Sequence, residues 1–339
     1  MVIILTVALT LIIILSLNLG FAQIPFSTVL SILAKRVPLL NNLVDSSNIS
    51  YVDEAIIIQI RMPRVLAGAL VGAALAAAGV VFQGIFKNPM ADPYVLGVSA
   101  GAAVGASLAI VLGVGFTFLG LNTVPILAFA CSLIAVFIVY NISRVGSRVP
   151  VTTLLLSGIA VSIFLSAIVA ILQVIAGGRL HVVVFWLMGG LSYVEWKDIW
   201  ATLPLICIGT AATYFYARDL NILTLGEETA QHLGVDIEKV KKLLLIFGSL
   251  VTAAAVSISG LIGFIGLIIP HITRIVIGPD HRILLPTSII VGASFLVICD
   301  ALARVIVSPV ELPVGVITAL SGGPFFIYLL RRKKESYAV

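Results

Sequence analysis

Apolar runs long enough to cross a bilayer dominate the chain, with short polar punctuation between them. They centre on residues 2–21, 64–86, 94–112, 124–141, 153–176, 199–216, 242–259, 261–277, 284–307 and 313–330. A bilayer core needs about 20 mostly apolar residues per helix. The pattern therefore predicts ten membrane-spanning helices in one all-α polytopic domain over residues 1–339. An even count puts both termini on the same side. Between the seventh and eighth runs there is no polar loop, so Ser257, Ser259, Gly260 and Gly263 must carry a tight turn. Gly68 with Gly72, Gly97 with Gly101, and Gly101 with Gly105 recur at the spacing that lets helix backbones approach closely.

Composition agrees with this pattern. The chain is 60% apolar and 10% charged, whereas soluble domains run at about 45–50% and 25%. That excludes a cytosolic globular enzyme, a disordered chain and a nucleic-acid-binding domain. Cys131, Cys207 and Cys299 all lie inside apolar runs, which fits neither a disulfide framework nor a metal cluster. The run from Val2 to Leu17 has no basic stretch before it and no small-residue cleavage site after it. It reads as a retained first span.

Basic residues set the expected orientation. Counting back from Arg331-Arg332-Lys333-Lys334, one side collects 13 of the 20 basic residues, among them Lys87, Arg148, Lys241 and Arg274. The other side receives Lys35, Arg36, Arg61, Arg64, Arg179, Lys197 and Arg304. This bias predicts cytoplasmic termini. It makes 22–62 and 177–198 outer loops and 218–242 the longest cytoplasmic loop. The second outer loop carries Phe185, Trp186, Tyr193 and Trp196, as an interfacial segment does.

Asp300 is the one acid within the predicted spans, and Arg304 follows four residues later on the same helical face. The two read as a structural pair rather than a proton relay. His271, after Pro270, reads as a packing or hydrogen-bonding residue; a lone His makes no metal site. Motifs for a metalloprotease, a nucleophile elbow or a phosphate loop are missing, so any ATPase driving the protein is a separate chain. The loop from Arg218 to Lys242 is the candidate to receive it. Thr224 and Glu227 have capping-box spacing, Gly234 would stop the helix they start, and Asp236 could cap a second one.

Several ordered blocks then resemble a known family. Arg61-Met-Pro-Arg64 running into Gly79, Gln83 to Pro93, and Leu96-Gly97-Val-Ser99-Ala-Gly101 resemble the opening signature of FecCD-type permeases. These are the membrane subunits of type II ATP-binding-cassette (ABC) importers for iron–siderophore complexes, haem and cobalamin. Leu225-Gly226-Glu227-Glu228 through Leu233-Gly234-Val235 resembles their ATPase-facing loop. Gly263 to Arg274, Gly278 to Arg282, Asp300 to Arg304 and Glu311 to Phe326 match further blocks, so the likeness covers about residues 55–332.

The resemblance implies ten helices per subunit, a homodimer or paired permease, two ATPase subunits below and an extracytoplasmic substrate-binding protein above. It implies that this chain binds no cofactor, ATP and Mg belonging to the ATPase. It assigns Arg61, Arg64 and Arg304 to binding-protein docking, and Leu225, Gly226, Glu227, Glu228, Leu233 and Gly234 to ATPase coupling. It puts the gate at the start of the fifth span, at Thr152 and Thr153, where Pro150 and Val151 depart from the family's small polar residues. Iron–siderophore is the first expectation for the substrate, with cobalamin or haem next and an oxyanion such as molybdate also open. From a different class, an ion-coupled secondary carrier is the alternative; its expected buried ionisable groups are scarce here. An intramembrane enzyme fails for want of paired catalytic residues.

Overall fold

The computed structural model describes residues 1–36, 49–113, 117–118, 121–146 and 148–337. Each of the ten expected spans corresponds to a helix: α1 (Val2–Asn18), α4 (Met62–Ile85), α5 (Val98–Leu112), α6 (Thr123–Ser143) and α7 (Val151–Ile175), then α9 (Trp196–Phe215), α12 (Ile237–Ser259), α13 (Ile265–Ile277), α14 (His281–Val305) and α15 (Val314–Tyr337). Between them lie five shorter helices, α2 (Phe26–Lys35), α3 (Tyr51–Ala55), α8 (Leu180–Leu187), α10 (Ala217–Thr224) and α11 (Glu227–His232). Among the described residues, six helical stretches are long and apolar enough to cross a membrane by themselves, and α1, α5, α13 and α15 are among the shorter apolar ones.

The core forms around α4 and α12, which are buried on nearly every side, while α6 and α7 keep broad apolar faces exposed. Lipid tails are as apolar as leucine, so side-chain burial alone does not hold such helices together; close backbone contact does. Gly72 of α4 faces Gly292 of α14, and Gly79 of α4 faces Gly266 of α13. A Cβ on Gly79 would fall inside the radius of the Gly266 carbonyl oxygen. Gly79→Ala should therefore cost about 1–3 kcal/mol through overpacking, read as a lowered unfolding temperature in detergent. Gly178→Ala, which would meet no atom within 4 Å, is the control that should not shift it.

The segment 22–62, expected to be an outer loop, contains more helix than the sequence pattern suggests. Of residues 22–62, α2 covers Phe26–Lys35, and helix is continuous from Tyr51 into α4; residues 37–48 lie outside the described residues. Ion pairs from Lys35 and Arg36 to Glu54, both at 3.2 Å, tie α2 to α3. Residues Ile56–Arg61 are wound as a π-helix, and the indole N–H of Trp196 donates to the Ile58 carbonyl there at 2.9 Å. Apolar periodicity is interrupted by the polar residues Asp53, Glu54 and Gln59, so it begins the span too late.

The eighth span differs as well. Only Ile265–Ile277 is helical, about 20 Å of rise against a bilayer core of about 30 Å. The expected tight turn is an irregular crossing from Gly260 (φ +65°) to Phe264 (φ +71°). Unpaired backbone is costly away from water, and here it has partners. Tyr94 Oη donates to the Ile262 carbonyl at 2.9 Å and accepts from the Ile262 N–H at 3.2 Å. The Gly190 N–H donates to the Ser259 carbonyl at 2.8 Å. Sequence periodicity sees the apolar residues of this stretch but not the distant tyrosine that satisfies its backbone.

Candidate functional site

The two ends of the bundle carry the polar chemistry. At one end α4 begins, α14 finishes and the 306–313 connection passes between them. Arg64 is 6% exposed; its Nε donates to Asp300 Oδ1 at 2.8 Å and its Nη1 to Glu311 Oε2 at 2.6 Å. Arg304 is 4% exposed, with Nε 3.1 Å from Asp300 Oδ2 and Nη2 donating to Ser16 Oγ at 2.7 Å. Arg61 donates to the carbonyls of Leu17 at 2.9 Å, Asn18 at 3.2 Å and Ala22. The loose carbonyls at the end of α1 are thus capped by Arg61, just before α4, and by Arg304 of α14.

This arrangement enlarges the expected Asp300–Arg304 pair into a triad with Arg64 and adds Glu311, which sequence spacing could not link to Arg64, 247 positions away. It also changes the picture of the three arginines. Docking residues are expected on the surface, yet all three guanidiniums turn inward and bond within the subunit. One donor is left over: Arg64 Nη2 is buried with no acceptor.

At the other end, α10 and α11 form a protruding knob. Thr224 does not begin a helix, as its capping-box spacing suggests. It closes α10, its hydroxyl donating back to the Asn221 carbonyl at 2.6 Å, and α11 starts from Gly226 without a side-chain cap. A turn with φ +128° at Gly226 leaves Thr224 on the wrong side to reach the new helix. Gly234 (φ +83°) does end α11, and Asp236 does cap the next helix, accepting from the Lys239 N–H at 3.1 Å. That next helix is α12 itself. Leu225 and Leu233 stand 68% and 60% exposed beside the acidic Glu227 and Glu228.

The knob is tied to the membrane helices. Lys241 of α12, 6% exposed, donates to Glu227 Oε1 at 2.5 Å. That hydrogen bond holds the Glu227 carboxyl below its ordinary range, outweighing partial burial, and nearby Lys87 and Arg148 add to the effect. Glu238, one turn earlier on α12, accepts the Val149 N–H at 3.1 Å. Val149 precedes the expected gate. There Thr152 is exposed, and the Thr153 hydroxyl donates to the carbonyls of Pro150 and Ser143 at 2.9 and 3.0 Å. Asn221 of α10 makes a second tie, its amide donating to Asp280 Oδ1 at 2.7 Å and its oxygen accepting the His281 N–H at 2.9 Å. Among the described residues no group of three or more His, Cys, Asp or Glu is placed to hold a metal ion.

A family model, the FecCD transport family, matches residues 8–332. The chain belongs to the FecCD transport family. Among similar curated proteins, the cobalamin import system permease protein BtuC of Halobacterium salinarum is 50% identical, over 83% of this chain and 74% of its own. The hemin transport system permease protein HmuU of Yersinia pestis is 41% identical, over 82% of this chain and 84% of its own. A solved metal-chelate type ABC transporter in an inward-facing conformation superposes with a TM-score of 0.83, at 32% identity and 98% coverage of both chains.

The FecCD resemblance read from the sequence blocks is therefore correct, and so is the all-α architecture of a type II importer permease. This FecCD chain is a multi-pass permease of an importer for metal chelates, haem or cobalamin. Permease subunits of this family are not enzymes; nucleotide binds on separate ATPase subunits, and a substrate-binding protein works with them. The contacts of Glu238, Lys241, Asn221 and Glu311 escaped the sequence reading. Lys241 and Glu238 do carry a signal, two charges three residues apart at the entrance to a span, but nothing in the sequence names their partners.

Proposed function

We propose that this chain carries a metal chelate across a prokaryotic cytoplasmic membrane, taking it from a binding protein at the Arg64–Glu311 end and gaining energy at the Leu225–Leu233 knob. In this reading both termini are cytoplasmic and the subunit pairs with a second permease. The observation that carries it is the mechanical continuity of the knob. Two large apolar side chains stand exposed on a segment outside the spans, as at a protein interface. The same segment is clamped by Glu227–Lys241 and runs into the helix whose Glu238 holds the loop before Thr152 and Thr153. Closure of an ATPase pair on the knobs would move α12, and with it the start of α7.

The docking role of Arg61, Arg64 and Arg304 belongs to this proposal. What supports it is their match to the family's docking positions, together with the partly exposed Glu311 that Arg64 holds at this end. Iron–siderophore complexes, cobalamin and haem all remain candidate cargoes, and relatives named for the last two are in the family.

The test is uptake into proteoliposomes containing the permease, its ATPase and its binding protein. Accumulation of a chelate should require hydrolysable ATP and survive ionophores that collapse ion gradients. Raising salt should weaken binding-protein association if charged groups dock it. Uptake that ignores ATP and stops with the ionophores would establish the ion-coupled carrier instead. Against that carrier stands the engagement of Asp300 by two guanidiniums, which leaves it no free role in proton traffic.

A further inference from the structure

We infer that a cavity at the Glu311 end of the bundle is a loading subsite for the rim of a chelate that presents amide, amine or hydroxyl donors, and that it turns away rims of free carboxylates. This rests on the chelate-permease reading and names the chemistry of the cargo. The cavity encloses about 530 Å³ between α8, the end of α12 and the start of α15. That volume is within the range of small-molecule sites, about 300–1,000 Å³. It is large enough for one edge of a bulky chelate.

The sign of its wall decides the chemistry. Asp198 and Glu311 line it, and no Lys or Arg does. Glu311 is already shared by Arg64 at 2.6 Å and Ser192 at 3.0 Å. Asp198 is not neutralised in that way. It is 4% exposed; Oδ2 accepts the Glu195 N–H at 2.9 Å, and Oδ1 has no hydrogen-bond partner. Ser257 and Ser259 spend their protons on the Ala254 and Ala255 carbonyls, at 2.8 and 3.0 Å, so what they have left to offer is oxygen lone pairs. The wall thus carries two carboxylates and no Lys or Arg, its side-chain donors being those of Asn122, His181, Trp186 and Tyr193.

A ligand with ionised carboxylates would lose its hydration there and meet like charge. One with N–H or O–H groups would supply the donor that the unpartnered Asp198 Oδ1 lacks, and charge-assisted hydrogen bonds are the strong ones. Phe185, Trp186 and Tyr193 complete the lining with faces suited to the flat, apolar body of a macrocycle.

Two probes separate these rims: cobalamin, whose ring edge carries neutral amides, and haem, whose edge carries two carboxylates. The full-length permease in lipid nanodiscs, without a binding protein, should bind cobalamin more tightly than haem. Asp198→Asn keeps an oxygen for the Glu195 N–H but removes the charge, and should reduce the cobalamin-to-haem ratio about tenfold or more. His181→Lys, an exposed change in the same lining, should shift the ratio the same way without burdening the fold. Wild-type preference for haem, or a ratio unmoved in both variants, would overturn the inference. Uptake in the complete transporter keeps the two readings apart. If a chelate is pumped but the ratio does not move, only the inference fails; if no chelate is pumped or bound, the permease reading fails with it.

Discussion

Asp300→Ala is expected to cost about 3–5 kcal/mol, the usual loss when one partner of a buried ion pair is removed. The triad explains why. Asp300 is fully buried, and the guanidiniums of Arg64 and Arg304 that face it are 6% and 4% exposed. Without the carboxylate, Arg304 keeps hydroxyl and carbonyl acceptors from α1 but no counter-charge in contact, and two positive groups are left side by side. A domain stable by only about 5–15 kcal/mol has little room for that loss. The measurement is thermal unfolding in detergent or nanodiscs, with Glu311→Ala as comparison. Glu311 has a side chain 42% exposed and touches the same Arg64, so its removal should cost about 1 kcal/mol or less. Adding Arg304→Met to Asp300→Ala should recover part of the loss by deleting an uncompensated charge, a coupling that a double-mutant cycle reads directly. Should Asp300→Ala prove no more damaging than Glu311→Ala, the triad is not what joins α1, α4 and α14.

The second large effect should leave the fold alone. Leu225→Asp with Leu233→Asp alters two side chains 68% and 60% exposed, and surface changes of that kind usually stay within about 0.5 kcal/mol. Transport should nevertheless be lost. Apolar anchors at the centre of an interface are each worth about 2 kcal/mol or more, so the ATPase should no longer co-purify with the double variant. Glu227 is a poorer probe, because changing it also strips Lys241 of its partner and confuses coupling with stability. Normal ATP-driven uptake in the Leu225/Leu233 variant would place the motor elsewhere.

Much of this molecule was legible in its residue order. Each apolar run became a helix because a bilayer leaves the backbone few other ways to satisfy its own hydrogen bonds. Gly72 was legible as a point of close approach, though not its partner Gly292, whereas the Gly79–Gly266 contact had no such signal. Asp236 was legible as a cap because capping is local, the acceptor and its N–H lying three residues apart. Thr224 shows the limit of the same rule. Its spacing fits a capping box, but a backbone turn at Gly226 intervenes, and spacing carries no torsion angles.

Residue order alone settles the solvent, the apolar runs that become helices, the family and the polar segment between α9 and α12. These follow from composition, local periodicity and short motifs, each carried within a few tens of residues. Which charges meet is a matter of how the helices pack. Arg64 finds Asp300 and Glu311 more than 200 residues away, Glu238 finds the Val149 amide, and Asp198 comes to rest in a wall without a cation. In so apolar a chain the few ionisable groups cannot be left unpaired cheaply once buried. Their partners are therefore set by which helices pack side by side, a relation that residue order alone does not contain.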